Sequence, residues 1–191
     1  LHVRSRRQRQ MCIRDSLRNM WKQRILEIIL QKSASDTYLD YTLPLILTFL
    51  PEELYKSHLS SLLPGLINTI ESCKSNQIAI SILTIICNVI VEPNSRNMIK
   101  PYIETIIQLC LRFIDENANK DAEFIVSKEL TRQSLKCLLG MSLFDLPSVV
   151  PFKREVIKTS ERVLEHKSRP VRMLAVSVRQ AWEDLGVDLS M

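Results

Sequence analysis

A chain of 191 residues, 46% of them hydrophobic and 25% charged, is long enough to bury one sizeable core and has ordinary globular composition. The only glycines are Gly65, Gly140 and Gly186, against a leucine- and isoleucine-rich background, which argues for helices over hairpins and excludes a glycine-rich phosphate loop. The formal charge of +5 is concentrated at the start: residues 1–16 carry five arginines against one aspartate, and the rest balances 21 basic against 20 acidic residues, which is not the profile of a nucleic-acid binder.

Residues 1–16 read as a segment apart. Arg7 to Ser16, RQRQMCIRDS, resembles a translated cDNA-library adaptor, and apolar periodicity begins only at Leu17. The segment is therefore set aside from the fold and expected to be disordered, with 17–191 forming the structured domain; the rival reading is a basic targeting or nucleic-acid arm. No apolar run follows the basic start as a secretory signal would require. A ragged pair of helical segments comes next, about 17–32 and 36–50, the second with Pro44 inside it, implying a kink or a late start.

Three prolines then act as a ruler: Pro64, Pro101 and Pro151. Each follows apolar residues closely and precedes a helical apolar pattern, which Pro64 matches only in part, with Thr69 and Ile70 five and six positions on. Ile106, Ile107 and Ile114 follow Pro101, and Val156, Ile157 and Leu164 follow Pro151. Proline at the first helical position loses no needed hydrogen bond, so each is expected to open the first helix of a unit. A second apolar segment completes each unit, at about 76–92, 122–144 and 170–185. The turns after the first two are Glu92-Pro93-Asn94 and Asp145-Leu146-Pro147, and a polar loop is expected over 115–121. Ile103, Ile106, Ile107, Cys110, Leu111 and Ile114 follow helical spacing. One such pair leaves an apolar face uncovered, and stacking neighbours covers it. The expected fold is all-α, an α-solenoid of about four HEAT-type helix pairs. The pattern begins abruptly at Leu17 and ends in the acidic cap Glu183, Asp184 and Asp188, as expected for the C-terminal part of a longer solenoid. The apolar run from Ile78 to Val91 is too short to span a bilayer and reads as a core helix.

The residues that could carry chemistry are dispersed. The five cysteines, Cys12, Cys73, Cys87, Cys110 and Cys137, form no C-x-x-C pair and no metal-binding or cluster spacing. The last four lie in apolar helical patterns as reduced core cysteines, pointing to cytosol or nucleus. His58 reads as solvated beside a loop, and His166 as a solvated or capping residue at a helix end next to Lys167. Glu52-Glu53 and Asp115-Glu116 lie in polar stretches where two carboxylates have no reason to converge. The expectation is a chain that is not an enzyme, with no catalytic, metal or cofactor residues.

The last unit is the most specific. Val171-Arg172, Ala175-Val176, Arg179 and Trp182 form the V-R-x-x-A run common in HEAT second helices. The small Ala175 lets helices approach, and Arg172 and Arg179, seven apart on one stripe, are expected to bond loop carboxylates or carbonyls of the adjacent unit. Together with V-V-P-F-K-R-E-V-I-K, Val163-Leu164-Glu165 and the basic turn Lys167-Ser168-Arg169, this order resembles the C-terminus of one family. It is the methyl-methanesulfonate-sensitivity protein nineteen family, the large HEAT-repeat subunit of the cytosolic iron–sulfur cluster assembly targeting complex. Trp21-Lys22-Gln23-Arg24 and Leu62-Leu63-Pro64 fit the same order upstream. The family's inter-helix turn tends to carry two aspartates where this chain has Glu165-His166, and Pro170 precedes the V-R pair. The resemblance implies a scaffold that holds a β-propeller subunit and a small partner subunit. It also implies delivery of clusters to cytosolic and nuclear apoproteins, DNA-repair enzymes among them, with no direct nucleic acid and no membrane.

Charge segregation suggests where a partner could dock. From Pro151 to Arg179 there are eight basic residues against three acidic, whereas residues 33–150 hold nine basic against thirteen acidic. Lys153, Arg154, Lys158, Arg162, Lys167 and Arg169 are the candidate partner-binding ledge, able to steer an acidic surface. The alternative is a solvated helix face with local ion pairs such as Glu155–Lys158 and Arg162–Glu165. At the level of the whole chain, the alternatives are a generic HEAT or armadillo adaptor in transport, or a nucleic-acid-associated solenoid in repair or transcription.

Overall fold

The computed structural model describes residues 20, 21, 24, 44, 58–117 and 124–186, and divides the chain into two compact units, 1–65 and 66–191. In the first unit Met20, Trp21 and Arg24 are helical and exposed, and Pro44 is helical and buried. The expected adaptor-like segment 1–16, the bulk of the ragged helix pair, Glu52-Glu53, residues 118–123 and Asp188 lie outside the described residues.

Six helices carry the described fold: α1 (Leu59–Ser72), α2 (Asn76–Val91), α3 (Ile103–Asn117), α4 (Phe124–Met141), α5 (Lys153–Val163) and α6 (Arg169–Glu183). No strand occurs among the described residues. In the second unit α2, α4 and α6 pack side by side in one layer. In the other layer α3 packs against α5, while α3 also meets α4 and α5 meets α6. This is an all-α solenoid of HEAT-type helix pairs.

The sequence explains each layer. α2 is apolar almost all round and is buried accordingly, from Ile78 through Ile90. Each fully buried leucine or isoleucine side chain contributes roughly 1.5–3 kcal/mol, so this central helix anchors the stack. α3, α5 and α6 are amphipathic. α3 buries Ile103, Ile106, Ile107, Cys110 and Ile114 and exposes Glu104, Gln108 and Arg112.

The repeat has a measurable register. Cys87 on α2 faces Cys137 on α4, 50 residues on, and one turn later Ile90 faces Gly140. A side chain at Gly140 would place its Cβ 2.7 Å from Ile90 Cγ2, so the absence of one permits this close helix approach. α3 and α5 start at Ile103 and Lys153, in the same register.

The prolines behave differently from expectation. Pro101 and Pro151 sit in short 3-10 turns, Asn97–Tyr102 and Val150–Phe152, two residues ahead of α3 and α5. Pro64 lies inside α1. There the buried face Leu59, Leu62, Leu63, Leu66 and Ile70 extends the helix upstream of the proline, and burial outweighs the lost backbone bond. Pro170 and Pro93 do occupy first-turn positions. Asp115, Glu116 and Asn117, expected in a loop, form the last turn of α3, and Asn117 is buried.

Helix ends are closed by specific donors. At the end of α4 the Leu138 carbonyl accepts the Trp182 indole N–H at 2.8 Å, and the Leu139 carbonyl accepts the Ser142 hydroxyl at 2.7 Å. Arg96 Nε donates to the Ile90 carbonyl of α2 at 2.9 Å. Gly186, with φ of 78°, follows α6 in the left-handed conformation that favours glycine.

Candidate docking surface

The residues singled out in the last unit fall into three groups. The first is structural packing. Val171, Ala175, Val178 and Trp182 form the buried face of α6, where the small Ala175 lies between its neighbours and Trp182 crosses to α4. Trp182 therefore ties the last repeat to the one before it.

The second group consists of cations committed to local partners. Lys153 Nζ donates to the carbonyls of Glu183 at 2.9 Å and Leu185 at 2.6 Å, capping α6 from the start of α5. Arg172 donates to the carbonyls of His166 at 2.7 Å and Lys167 at 3.0 Å, bracing the turn between α5 and α6. Arg179 pairs with Glu183 on its own helix at 2.7 Å and with Glu161 on α5 at 3.7 Å. Its guanidinium pKa is raised, chiefly by the hydrogen bond to Glu183. The two arginines expected to reach the adjacent unit thus work within their own. Beside the Trp182 indole bond to Leu138, ion pairs that cross between repeats among the described residues include Arg162 with Asp115 at 3.0 Å and Lys100 with Asp145 at 3.3 Å. The Asp145 carboxyl is held below its ordinary range by the Ser148 hydroxyl first and by Lys100 second. Arg162 also donates to the Thr159 hydroxyl at 2.8 Å.

The third group is what remains of the ledge. Arg154 and Lys158 lie one turn apart on the outer face of α5, with Arg169 at the turn into α6, all exposed; Lys167, exposed at the same turn, is engaged in an interaction of its own. Glu155, Glu161 and Glu165 are exposed among them, so the face is a mosaic with a cationic edge rather than a uniformly basic strip.

His166 is buried rather than solvated. Its Nδ1 accepts the Ser168 backbone N–H at 3.0 Å at the start of α6. Burial is the main influence that lowers its pKa, with the positive charges of Arg172, Lys128 and Lys167 acting in the same direction. His58 is exposed. A shallow groove of about 390 Å³ lies on the other layer, lined by Glu71 of α1 and by Thr105, Gln108, Leu109 and Arg112 of α3. Among the described residues no group of three or more His, Cys, Asp or Glu side chains is placed to hold a metal ion. No single described helix is long and apolar enough to cross a membrane.

Sequence reasoning missed one cluster. Cys87, Cys110 and Cys137, read separately as core residues, come together where α2, α3 and α4 meet. Their separation of 50 residues between Cys87 and Cys137 equals the spacing from Pro101 to Pro151, which was the signal that could have paired them.

Comparison with known proteins gives two related matches over part of the chain. The chain is 28% identical over 143 residues to the MMS19 nucleotide excision repair protein homolog of Xenopus tropicalis, and 28% identical over 141 residues to that of Xenopus laevis. The chain is similar to these MMS19 proteins over that stretch. The match covers 74% of this chain but only 13% of each MMS19 relative, so the chain spans a small part of those proteins' length. No family model matches the chain.

Proposed function

We propose that this chain is a protein-docking scaffold of the cytosolic iron–sulfur protein assembly targeting complex. In this reading it holds a β-propeller subunit and a small partner subunit, helps deliver clusters to cytosolic and nuclear apoproteins including DNA-repair enzymes, and catalyses nothing itself. It works in cytoplasm and nucleus, without direct contact to nucleic acid or membrane. The observation that carries the reading is the similarity to MMS19 across three-quarters of the chain, coinciding with a repeat stack. Stacks of this kind offer long outer faces to partners rather than a deep pocket. The exposed cations Arg154 and Lys158 favour an acidic partner surface, where complementary charge speeds encounter and fixes orientation.

The test is affinity capture with the full chain, offered the β-propeller subunit and the small subunit separately and together. Arg154→Glu combined with Lys158→Glu is the informative variant, because neither side chain closes a helix or pairs between repeats in the way Lys153 and Arg162 do. Capture that falls at least tenfold in the folded variant supports the ledge. Capture unchanged by the reversal removes the ledge, and failure to bind either subunit removes the scaffold assignment. Selective binding of a linear transport signal would point to a generic adaptor instead. Salt-sensitive DNA binding would point to a repair or transcription solenoid.

A further inference from the structure

The cysteine cluster has no part in docking, and its geometry suggests a chemistry of its own. Cys87 Sγ and Cys137 Sγ are 2.9 Å apart. That is longer than the roughly 2.05 Å of a disulfide bond and shorter than the roughly 3.5 Å of ordinary non-bonded contact. The surrounding contacts are reciprocal. Cys137 Sγ donates to the carbonyl of Leu83, one turn before Cys87, at 3.5 Å, and Cys87 Sγ lies 3.9 Å from the carbonyl of Gln133, one turn before Cys137. One turn further on, Gly140 lies against Ile90, where a Cβ would stand 2.7 Å from Ile90 Cγ2. Access is asymmetric: Cys87 is partly exposed, whereas Cys137 and Cys110 are buried.

We propose that Cys87 and Cys137 are a redox-responsive pair that a hydroperoxide converts into a disulfide, stapling α2 to α4. The Cys87 sulfur, deprotonated, attacks the outer peroxide oxygen. The O–O bond breaks, Cys87 becomes a sulfenic acid, and the departing alkoxide (hydroxide, for hydrogen peroxide) takes from solvent the proton that Cys87 released and leaves as alcohol (or water). The Cys137 sulfur then attacks the Cys87 sulfur, the S–O bond breaks, and the departing hydroxide takes the Cys137 proton as water. Two thiols lose two electrons and two protons in all, and the peroxide is reduced to alcohol and water. Cys87 reacts first because only it reaches solvent, and Cys137 resolves because its sulfur is already in contact. The Cys87 thiol pKa is pushed up by its hydrogen bond with Cys137 and by burial, and burial raises that of Cys137. Both shifts favour the thiol form, so the thiolate that attacks is the minor form of Cys87. Once formed, the bond fixes the register of two successive repeats and removes sliding at that junction.

Trypsin places the three cysteines on separate peptides, 75–96, 97–112 and 137–153. The full chain is treated with hydrogen peroxide, blocked with N-ethylmaleimide, digested without reduction and read by mass spectrometry. The expected product is peptide 75–96 joined to 137–153, lighter than the two thiols by two hydrogens, together with a raised Tm that reductant reverses. Cys137→Ser should stop at a Cys87 sulfenic acid that dimedone traps, and Cys87→Ser should abolish the link and the Tm rise. A link between 97–112 and 137–153 instead would overturn the proposal. So would recovery of Cys87 and Cys137 as maleimide adducts under peroxide sufficient to oxidise Cys73.

Discussion

Replacing Gly140 by alanine sets two effects against each other on α4. Alanine is the better helix former, by about 0.8–1 kcal/mol. Its Cβ, however, would stand 2.7 Å from Ile90 Cγ2, with Ile90 Cβ at 3.5 Å behind it. That methyl belongs to a β-branched side chain in a helix, which has one strongly preferred rotamer and cannot swing aside, and Ile90 is fully buried. Overpacking of this kind costs about 1–3 kcal/mol, so Gly140→Ala should destabilise by a net ~1 kcal/mol. In an Ile90→Ala background the obstruction is gone. That background is itself weaker by about 2–5 kcal/mol, but there Gly140→Ala should stabilise by roughly the helix-propensity term, ~0.8–1 kcal/mol. Urea unfolding followed by circular dichroism on the four chains of the cycle measures the coupling. A sign reversal with a coupling of about 1–3 kcal/mol is expected. If Gly140→Ala has the same effect in both backgrounds, α2 and α4 do not meet in the register described.

Three further perturbations address other joints. Trp182→Phe keeps an aromatic ring but leaves the buried Leu138 carbonyl without the indole donor. It should cost about 1–3 kcal/mol in urea unfolding, and a cost near zero would detach α6 from α4. Lys153→Met removes both cation-to-carbonyl bonds at the end of α6. It should speed amide exchange over residues 180–186 while leaving exchange in α2 unchanged; equal rates at that helix end would refute the cap. His166 has its pKa lowered on folding, chiefly by burial. Its contribution to stability is therefore full above its unfolded value near pH ~6.5 and is lost as pH falls from there through the folded value. The loss of stability between pH 7.5 and 5.5 should be smaller in His166→Gln, and an unchanged loss would contradict the assignment.

The fold was legible where burial and spacing agree. The second helices were read almost to the residue: about 76–92 against Asn76–Val91, and about 170–185 against Arg169–Glu183. A continuous apolar run in one case, and an apolar stripe beginning at a proline in the other, leave little choice of element. Proline misled at Pro64, because the leucine face that α1 buries begins upstream of it. The ledge was legible only as a count of charges. Lys153, Arg162, Arg172 and Arg179 carry the same formal charge as Arg154 and Lys158, but carbonyls and carboxylates brought close by folding engage the former, and no linear pattern distinguishes them. The cysteine contact needed the repeat register, which appears in the sequence only as equal spacings of distant residues.

The scaffold reading is tested most directly by the mass of an assembly in solution. The full chain mixed with the β-propeller subunit and the small partner subunit should elute from size exclusion, with light scattering, as a single species containing all three. Arg154→Glu with Lys158→Glu should shift that species toward free components. Separate elution of the unaltered chain, at concentrations where it remains folded and monodisperse, would contradict the account.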